Sequence, residues 1–134
     1  MAWTLITNMG NFDKTTKIGF MGAGTVGGSL AVAISNAGYP VTAVGSRTFA
    51  SAQTFADRIP GCTAYQNLQE VADCTDFVFI STSDDAIAVV CEQVSWRLGQ
   101  GVVHCSGAAS VDILRFAADR GATLGAFHPL QAFN

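Results

Sequence analysis

The chain has 134 residues, of which 49% are hydrophobic and 13% charged, with a formal net charge of −3. This length fits one domain, and the apolar content excludes an intrinsically disordered chain. The few lysines and arginines form no basic run, which argues against nucleic-acid binding because a phosphate backbone requires a basic patch. So little charge predicts that part of the surface contacts another domain or subunit, in a homo-oligomer or a longer protein.

The cysteines and the charge-free stretch bear on three questions: a metal site, the cellular compartment and a membrane span. The four cysteines are widely spaced and distant from the two histidines, so their pattern indicates no metal site. Free thiols in an apolar chain are typical of a reducing compartment, and we expect a cytoplasmic protein. No charge occurs between Lys17 and Arg47, but the glycines and Pro40 in this stretch argue against a membrane span. Residues 1–15 lack a signal-peptide pattern and are interpreted as an N-terminal tail before one domain at 16–134.

Short apolar runs alternate with helical periodicity from Thr16 onward, which is typical of repeated strand–helix units. Two of these runs, near Phe77 and Val102, are apolar without alternation, as expected of parallel strands covered on both faces. The sequence therefore predicts an α/β fold with a doubly wound, mainly parallel sheet of about six strands and helices on both faces. The predicted strands are Lys17–Met21, Val41–Gly45, Cys62–Tyr65, Phe77–Ser81, Gly101–Cys105 and Thr123–Phe127.

Three stretches carry apolar residues at helical spacing and are predicted to be helices packed on the sheet. Gly38, Pro60-Gly61, Gly99 and Gly121 are predicted stops, and Asp84 and Ser110 are predicted N-caps. The apolar stripes are Leu30, Ala33, Ile34 and Ala37, then Ala52, Phe55, Ala56 and Ile59, then Ile87, Val90, Cys91, Val94 and Leu98.

A glycine-rich motif lies between the first predicted strand and the first predicted helix. Gly22, Gly24 and Gly27 form the pattern G-x-G-x-x-G, in the strand–turn–helix context that dinucleotide binding requires. A diphosphate would meet the free N–H groups at the start of the helix. The alternative is that the glycines only form a tight turn. The predicted cofactor residues here are Gly22, Ala23, Gly24, Thr25, Val26 and Gly27.

The end of the second strand indicates which dinucleotide is bound. No acid is present there to accept hydrogen bonds from a ribose 2′-hydroxyl, and the chain instead has Ser46, Arg47 and Thr48. A guanidinium at this place favours a 2′-phosphate and hence NADP(H). The alternative is that Arg47 is a solvated surface residue and that Ser46 or Thr48 is an ordinary N-cap.

Ligands of open α/β sheets bind beyond the carboxyl ends of the strands. Ser81, Thr82 and Ser83 follow the fourth strand and are predicted to contact the cofactor. Weak catalytic candidates at the next two strand ends are His104, Ser106 and His128. Alternatively, both histidines are structural hydrogen-bonding groups. Asp84 and Asp85 are adjacent and are interpreted as a helix start, not as a catalytic pair.

These motifs resemble a family of Rossmann-like proteins in which an NADP-type domain precedes a helical C-terminal domain, relatives of pyrroline-carboxylate reductases and deazaflavin-dependent NADP oxidoreductases. The likeness covers about Lys17 to Asn134, and Ser83 departs from it by standing where such proteins commonly have proline. The resemblance implies that the helical domain, which closes the substrate pocket and often pairs subunits, is absent here. The blocks that carry it are Ile18–Gly27, Gly45–Arg47, His104–Gly107 and Phe127–Phe133.

Two functions from different classes follow. The first is the NADP(H)-binding domain of an oxidoreductase that transfers hydride to a small carbonyl or imine, with the chemistry completed by an absent domain or a partner subunit. The second is a regulatory module that senses NADP(H) without turnover. A third, purely structural interpretation would require that no dinucleotide binds.

Overall fold

The computed structural model describes residues 12–127, which form one six-stranded sheet. The strand order is β3-β2-β1-β4-β5-β6, and every neighbouring pair is parallel. This confirms the predicted doubly wound α/β fold, and each strand lies within the range predicted for it. The strands are β1 (Ile18–Met21), β2 (Val41–Gly45), β3 (Thr63–Tyr65), β4 (Phe77–Ile80), β5 (Gly101–His104) and β6 (Thr123–Ala126).

Helices cover both faces of the sheet, and each face has its own apolar core. Residues of α1 and α2 pack on one face, and residues of α3, α4 and α5 pack on the other. The helices are α1 (Thr25–Asn36), α2 (Phe49–Asp57), α3 (Leu68–Asp73), α4 (Ile87–Gln93) and α5 (Arg115–Ala118), with 3₁₀ turns at Asp84–Ala86 and Val111–Leu114.

The central strands β1 and β4 are fixed by aromatic packing. Phe20 of β1 and Phe79 of β4 are fully buried and stacked, with ring centroids 5.0 Å apart. Such a pair contributes about 0.5–1.5 kcal/mol beyond the burial of its area. The carboxyl ends of β1 and β4, where the strand order reverses, are therefore held rigidly together.

The third apolar stripe was predicted to extend to Leu98, and this part of the prediction is wrong. Helix α4 ends at Gln93, Val94 is extended, and Leu98 is 86% exposed. The chain leaves the helix because Trp96 turns back into the core, where its indole N–H donates to the Cys91 carbonyl oxygen at 2.8 Å. Burial of the tryptophan outweighs continuation of the helical period.

The predicted caps are confirmed in one case and displaced by one residue in the other. Ser110 is the N-cap of its 3₁₀ turn, and its Oγ accepts from the Asp112 backbone N–H at 3.1 Å. Ser83, rather than Asp84, precedes the other 3₁₀ turn, and Asp84 lies in that first turn. Gly99 has φ +82 in the turn before β5 and does not end a helix.

The predictions about the cysteines, a membrane span, the N-terminal tail and the apolar surface can be compared with the described residues. All four cysteines are free. Within residues 12–127 no helix is both long and apolar enough to cross a bilayer. The predicted tail at 1–15 lies mostly outside the described residues, although Phe12 packs edge to face against Phe77 at 5.0 Å. The large apolar side chains that are exposed in the described part are Val26, Val89 and Leu98.

Candidate functional site

The turn between β1 and α1 is held between the ends of β2 and β4. The Gly22 N–H donates to the Gly45 carbonyl at 2.8 Å, and the Ser81 hydroxyl donates to the Gly22 carbonyl at 3.1 Å. Gly22 has φ +112, and a Cβ there would lie 2.8 Å from the backbone of Ser81 and Thr82. Only glycine fits this turn without strain.

Gly27 allows α1 to pack directly on the end of β4. A Cβ at Gly27 would collide with the side chain of Ser81, whose Cβ would be 3.0 Å away. This is the close helix–strand packing predicted for the third glycine. Ser81, predicted to contact a cofactor, therefore also fixes the turn.

Gly24 is different, because the surrounding protein does not require a glycine there. It has φ −80 and ψ −178, ordinary extended backbone, and a Cβ would have no atom within 4 Å. It occupies the N-cap position of α1, yet no side chain caps the helix and its first turn has no acidic residue. The first helical hydrogen bond runs from the Gly28 N–H to the Gly24 carbonyl, so the N–H groups of residues 25 to 27 lack a carbonyl partner within the helix.

A cleft of about 570 Å³ opens in front of this helix end. It is the space that a dinucleotide of this fold would occupy, beyond the carboxyl ends of the strands. Eight of the predicted cofactor residues line it, namely Gly22, Ala23, Gly24, Ser46, Arg47, Ser81, Thr82 and Ser83. Four others, Thr25, Val26, Gly27 and Thr48, do not line it.

The opposite wall of the cleft was missed from the sequence. It consists of Gln66, Asn67 and Leu68 after β3, and of Ala86, Val89, Val90 and Gln93 near α4. The loop after β3 carries no motif that could have identified it. Val89 did carry a signal, since it is an apolar residue outside the core stripe of its helix, and in the fold it is 52% exposed.

Arg47 lies on the cleft wall where β2 ends, and it is exposed. Its guanidinium forms no hydrogen bond or ion pair with a described residue. Thr48 occupies the N-cap position of α2, but its hydroxyl donates to Ser51 Oγ at 2.7 Å rather than accepting from the helix backbone. Arg47 is thus available to an anion in the cleft.

His104 is fully buried, and both of its ring nitrogens are engaged. Nδ1 accepts from the Ser106 N–H at 3.1 Å, and Nε2 lies 2.9 Å from the Ser110 carbonyl, to which it donates. This pattern requires the neutral tautomer with its proton on Nε2. The geometry favours the structural alternative for His104, as the support of the loop after β5.

Ser106 also stabilises this loop. It is 5% exposed, and its Oγ accepts from the N–H groups of Ala108 and Ala109, each at 3.1 Å. Its geometry is that of a turn-stabilising hydroxyl, and the neighbouring His104 ring contacts the Ser106 backbone N–H. His128, the remaining catalytic candidate, lies outside the described residues.

Burial raises the pKa of two thiols, Cys62 and Cys105, which are therefore not nucleophiles at neutral pH. Burial raises the pKa of Cys105, next to the loop, to about 12. Burial, with a smaller contribution from Cys74, raises the pKa of Cys62 to about 11. A protonated thiol is a poor nucleophile and a poor metal ligand. Among residues 12–127, no three His, Cys, Asp or Glu side chains gather as a metal site would require.

The sequence matches the model of the family described as a Rossmann-like domain over residues 7–129. Among curated proteins, none matches the chain. The narrower resemblance to relatives of pyrroline-carboxylate reductases and deazaflavin-dependent NADP oxidoreductases is not tested by these findings and stays a prediction.

Solved structures share the fold. A Bacteroides fragilis protein whose description proposes an NADP oxidoreductase is 19% identical, with a TM-score of 0.66 over 88% of this chain and 62% of that one. The Aspergillus terreus imine reductase in complex with NADPH4 is 17% identical, with a TM-score of 0.70 over 89% and 44%. The 3-hydroxyisobutyrate dehydrogenase of Mycobacterium tuberculosis is 19% identical, with a TM-score of 0.70 over 82% and 39%. The chain thus spans less than two thirds of each of these proteins.

His104→Phe tests the structural role of the histidine. The variant leaves the buried Ser106 N–H and the Ser110 carbonyl without their partners, and each such loss costs about 1–3 kcal/mol. We expect urea denaturation followed by circular dichroism to show a lower free energy of unfolding, whereas the exposed control Ser83→Ala stays within about 0.5 kcal/mol of the parent. Unchanged stability of His104→Phe would contradict this role.

The raised thiol pKa values predict selective alkylation. At pH 8 the folded protein should react with iodoacetamide at the exposed Cys74, while Cys62 and Cys105 remain protonated and unmodified. Peptide mass spectrometry measures the modified fraction at each site, and unfolding in urea before labelling is the control that should expose all of them. Modification of Cys105 in the folded protein as fast as that of Cys74 would refute the prediction.

Proposed function

Because the chain belongs to the Rossmann-like domain family, we propose that it is the NADP(H)-binding domain of an oxidoreductase. The observation that carries the proposal is one cleft lined both by the N-cap residue of α1 and by a guanidinium that has no partner among residues 12–127. Gly24, at the start of α1, and Arg47 border a common space of about 570 Å³. Two sites for negative charge in one cleft fit a dinucleotide better than a single small anion.

The diphosphate would lie against the start of α1. The helix dipole and the free N–H groups favour negative charge there, and Gly24 leaves the approach open. A serine, threonine or aspartate at that N-cap would stabilise the helix through its own side chain, without a ligand. Glycine at this position is consistent with a ligand that takes the place of the side-chain cap.

The 2′-phosphate would lie near Arg47. A charge-assisted contact of a guanidinium with phosphate contributes about 1.5–3 kcal/mol, which corresponds to at least tenfold selectivity over the unphosphorylated coenzyme. The B. fragilis and A. terreus neighbours are described with NADP and NADPH4, which supports the same coenzyme for this chain.

When bound, the nicotinamide of NADPH supplies a hydride, and a small carbonyl or imine is the proposed acceptor. The residues described here bind and orient the coenzyme, and none that lines the cleft is His, Lys, Tyr, Asp or Glu. We therefore propose that proton delivery and substrate binding come from a further domain or a partner subunit. The neighbours support this, because the chain spans only 39–62% of their lengths.

The same lack of a proton donor in the cleft favours a second candidate, an NADP(H)-sensing module without turnover. The full-length protein distinguishes the two when it is mixed with NADPH and a panel of small ketones, aldehydes and cyclic imines. Substrate-dependent loss of absorbance at 340 nm supports the oxidoreductase. Tight NADPH binding with no consumption across the panel supports the sensor.

Gly24→Ser tests the diphosphate site. The added hydroxyl can cap α1, so the free energy of unfolding should stay unchanged or rise by a few tenths of a kcal/mol. NADPH affinity measured by calorimetry should fall at least about tenfold, because the side chain occupies the phosphate position. Gly22→Ala is the contrasting variant, since its positive φ predicts lost stability. Parent-like NADPH binding by Gly24→Ser would refute the site.

Arg47→Ala tests the choice of coenzyme. The parent should bind NADPH at least about tenfold more tightly than NADH, and the variant should lose most of that preference. Calorimetric titrations of both coenzymes provide the ratio, with Arg115→Ala on the opposite face of the sheet as the charge-matched control. Equal affinities in the parent, or an unchanged ratio in Arg47→Ala, would contradict the assignment.

A further inference from the structure

A second, smaller cavity adjoins the cleft. It measures about 290 Å³ and lies between the start of α1 and one side of α2. Ala23 of the glycine-rich turn lines both spaces, so the cavity and the cleft are neighbours at this residue. The other lining residues are Ala50, Ser51, Thr54, Phe55 and Arg58.

Arg58, the C-cap of α2, reaches across to the first turn of α1. Its Nη1 lies 2.8 Å from the position that a Cβ at Gly28 would occupy. The G-x-G-x-x-G pattern does not account for this second of two consecutive glycines, and the guanidinium of Arg58 occupies the space that a side chain there would take. With the described residues Arg58 forms no hydrogen bond and no ion pair.

Without a ligand, the guanidinium of Arg58 lies in an electrostatically unfavourable position. It lies beside the positive end of α1, whose first turn contains no acid. A cation at this end of a helix dipole is unfavourable, typically by a few tenths of a kcal/mol to about 1 kcal/mol. An anion bound between Arg58 and the helix end would be attracted to both and would offset this repulsion.

One hydroxyl of the lining can donate to an anion. Ser51 Oγ accepts the Thr48 hydroxyl at 2.7 Å, so its own proton remains available to a ligand. The proton of Thr54 is already donated to the Ala50 carbonyl at 3.1 Å. The lining contains one positive charge and no carboxylate.

We propose that this cavity receives the 2′-phosphate of the coenzyme, with Arg58 as a specificity-determining residue in addition to Arg47, which lines the neighbouring cleft. The inference rests on the proposed function. The diphosphate would lie at Gly24, and Arg58 approaches α1 one turn further along, at Gly28, in a cavity that Ala50 and Ser51 at the start of α2 also line. The adenosine ribose of this fold is bound where β2 ends and α2 begins.

Arg58→Gln tests the inference, because glutamine keeps much of the side-chain stem over Gly28 and removes the charge. We expect NADPH affinity to fall about tenfold and NADH affinity to stay unchanged, by calorimetry. Arg58→Lys should keep part of the NADPH preference, and Arg115→Gln is the control for lost charge. Thermal unfolding of each variant establishes that it is folded.

Three results would overturn the inference, and they are distinguishable. An equal loss for NADPH and NADH would mean that Arg58 acts on the diphosphate. No change in either affinity would mean that Arg58 only packs against Gly28. If the parent binds neither coenzyme, the proposed function fails and this inference fails with it. The second result, together with an NADPH preference that is lost in Arg47→Ala, refutes the role of Arg58 and leaves the proposed function intact.

Discussion

The chain leaves the start of its first helix without a side-chain cap, and the rest of the site depends on this. Four N–H groups at a helix start normally obtain partners from side chains or water. In α1 the N-cap is Gly24, no acid follows in the first turn, and the extended backbone there would accept a serine or aspartate readily. Relative to a serine or aspartate cap, the fold thus forgoes about a few tenths of a kcal/mol of stabilisation, at the position where a ligand would restore it.

The packing around this helix end keeps it accessible and rigid. Gly22 and Gly27 are glycines because the residues directly after β4 lie close to both. One of these residues, Ser81, holds the turn by donating its hydroxyl to the Gly22 carbonyl. A Cβ at Gly28 would closely approach only the flexible end of the Arg58 side chain. Of these four glycines, only Gly24 has no atom within 4 Å of the position of a Cβ. The packing of the protein thus requires glycine at residues 22 and 27 and does not require it at residue 24, a division that spacing alone does not reveal.

The strands and the glycine motif were predictable because they rest on local signals. Apolar runs with parallel-sheet character located all six strands, and the strand–turn–helix context located α1. Val89, an apolar residue outside the core stripe of its helix, carried a signal that went unused. The part of the cleft wall at Gln66 was not predictable, since the loop after β3 carries no motif and only the tertiary fold brings it to the cleft. The end of α4 was missed for a similar reason, because the burial of Trp96 is a tertiary effect that overrides helical period. His104 looked reactive from its position, and only its two hydrogen bonds favour a structural role.

The same site also limits what the described residues can do. Its one charged lining residue, Arg47, suits an anion, but the hydroxyls, amides and aliphatic side chains of its described lining do not exchange a proton near neutral pH. Hydride transfer to a carbonyl or imine requires a proton at the acceptor atom, and no described residue that lines the cleft supplies one. Coenzyme binding and turnover are therefore separable, and the geometry of one helix end and its neighbouring guanidinium groups supports only the proposal of binding.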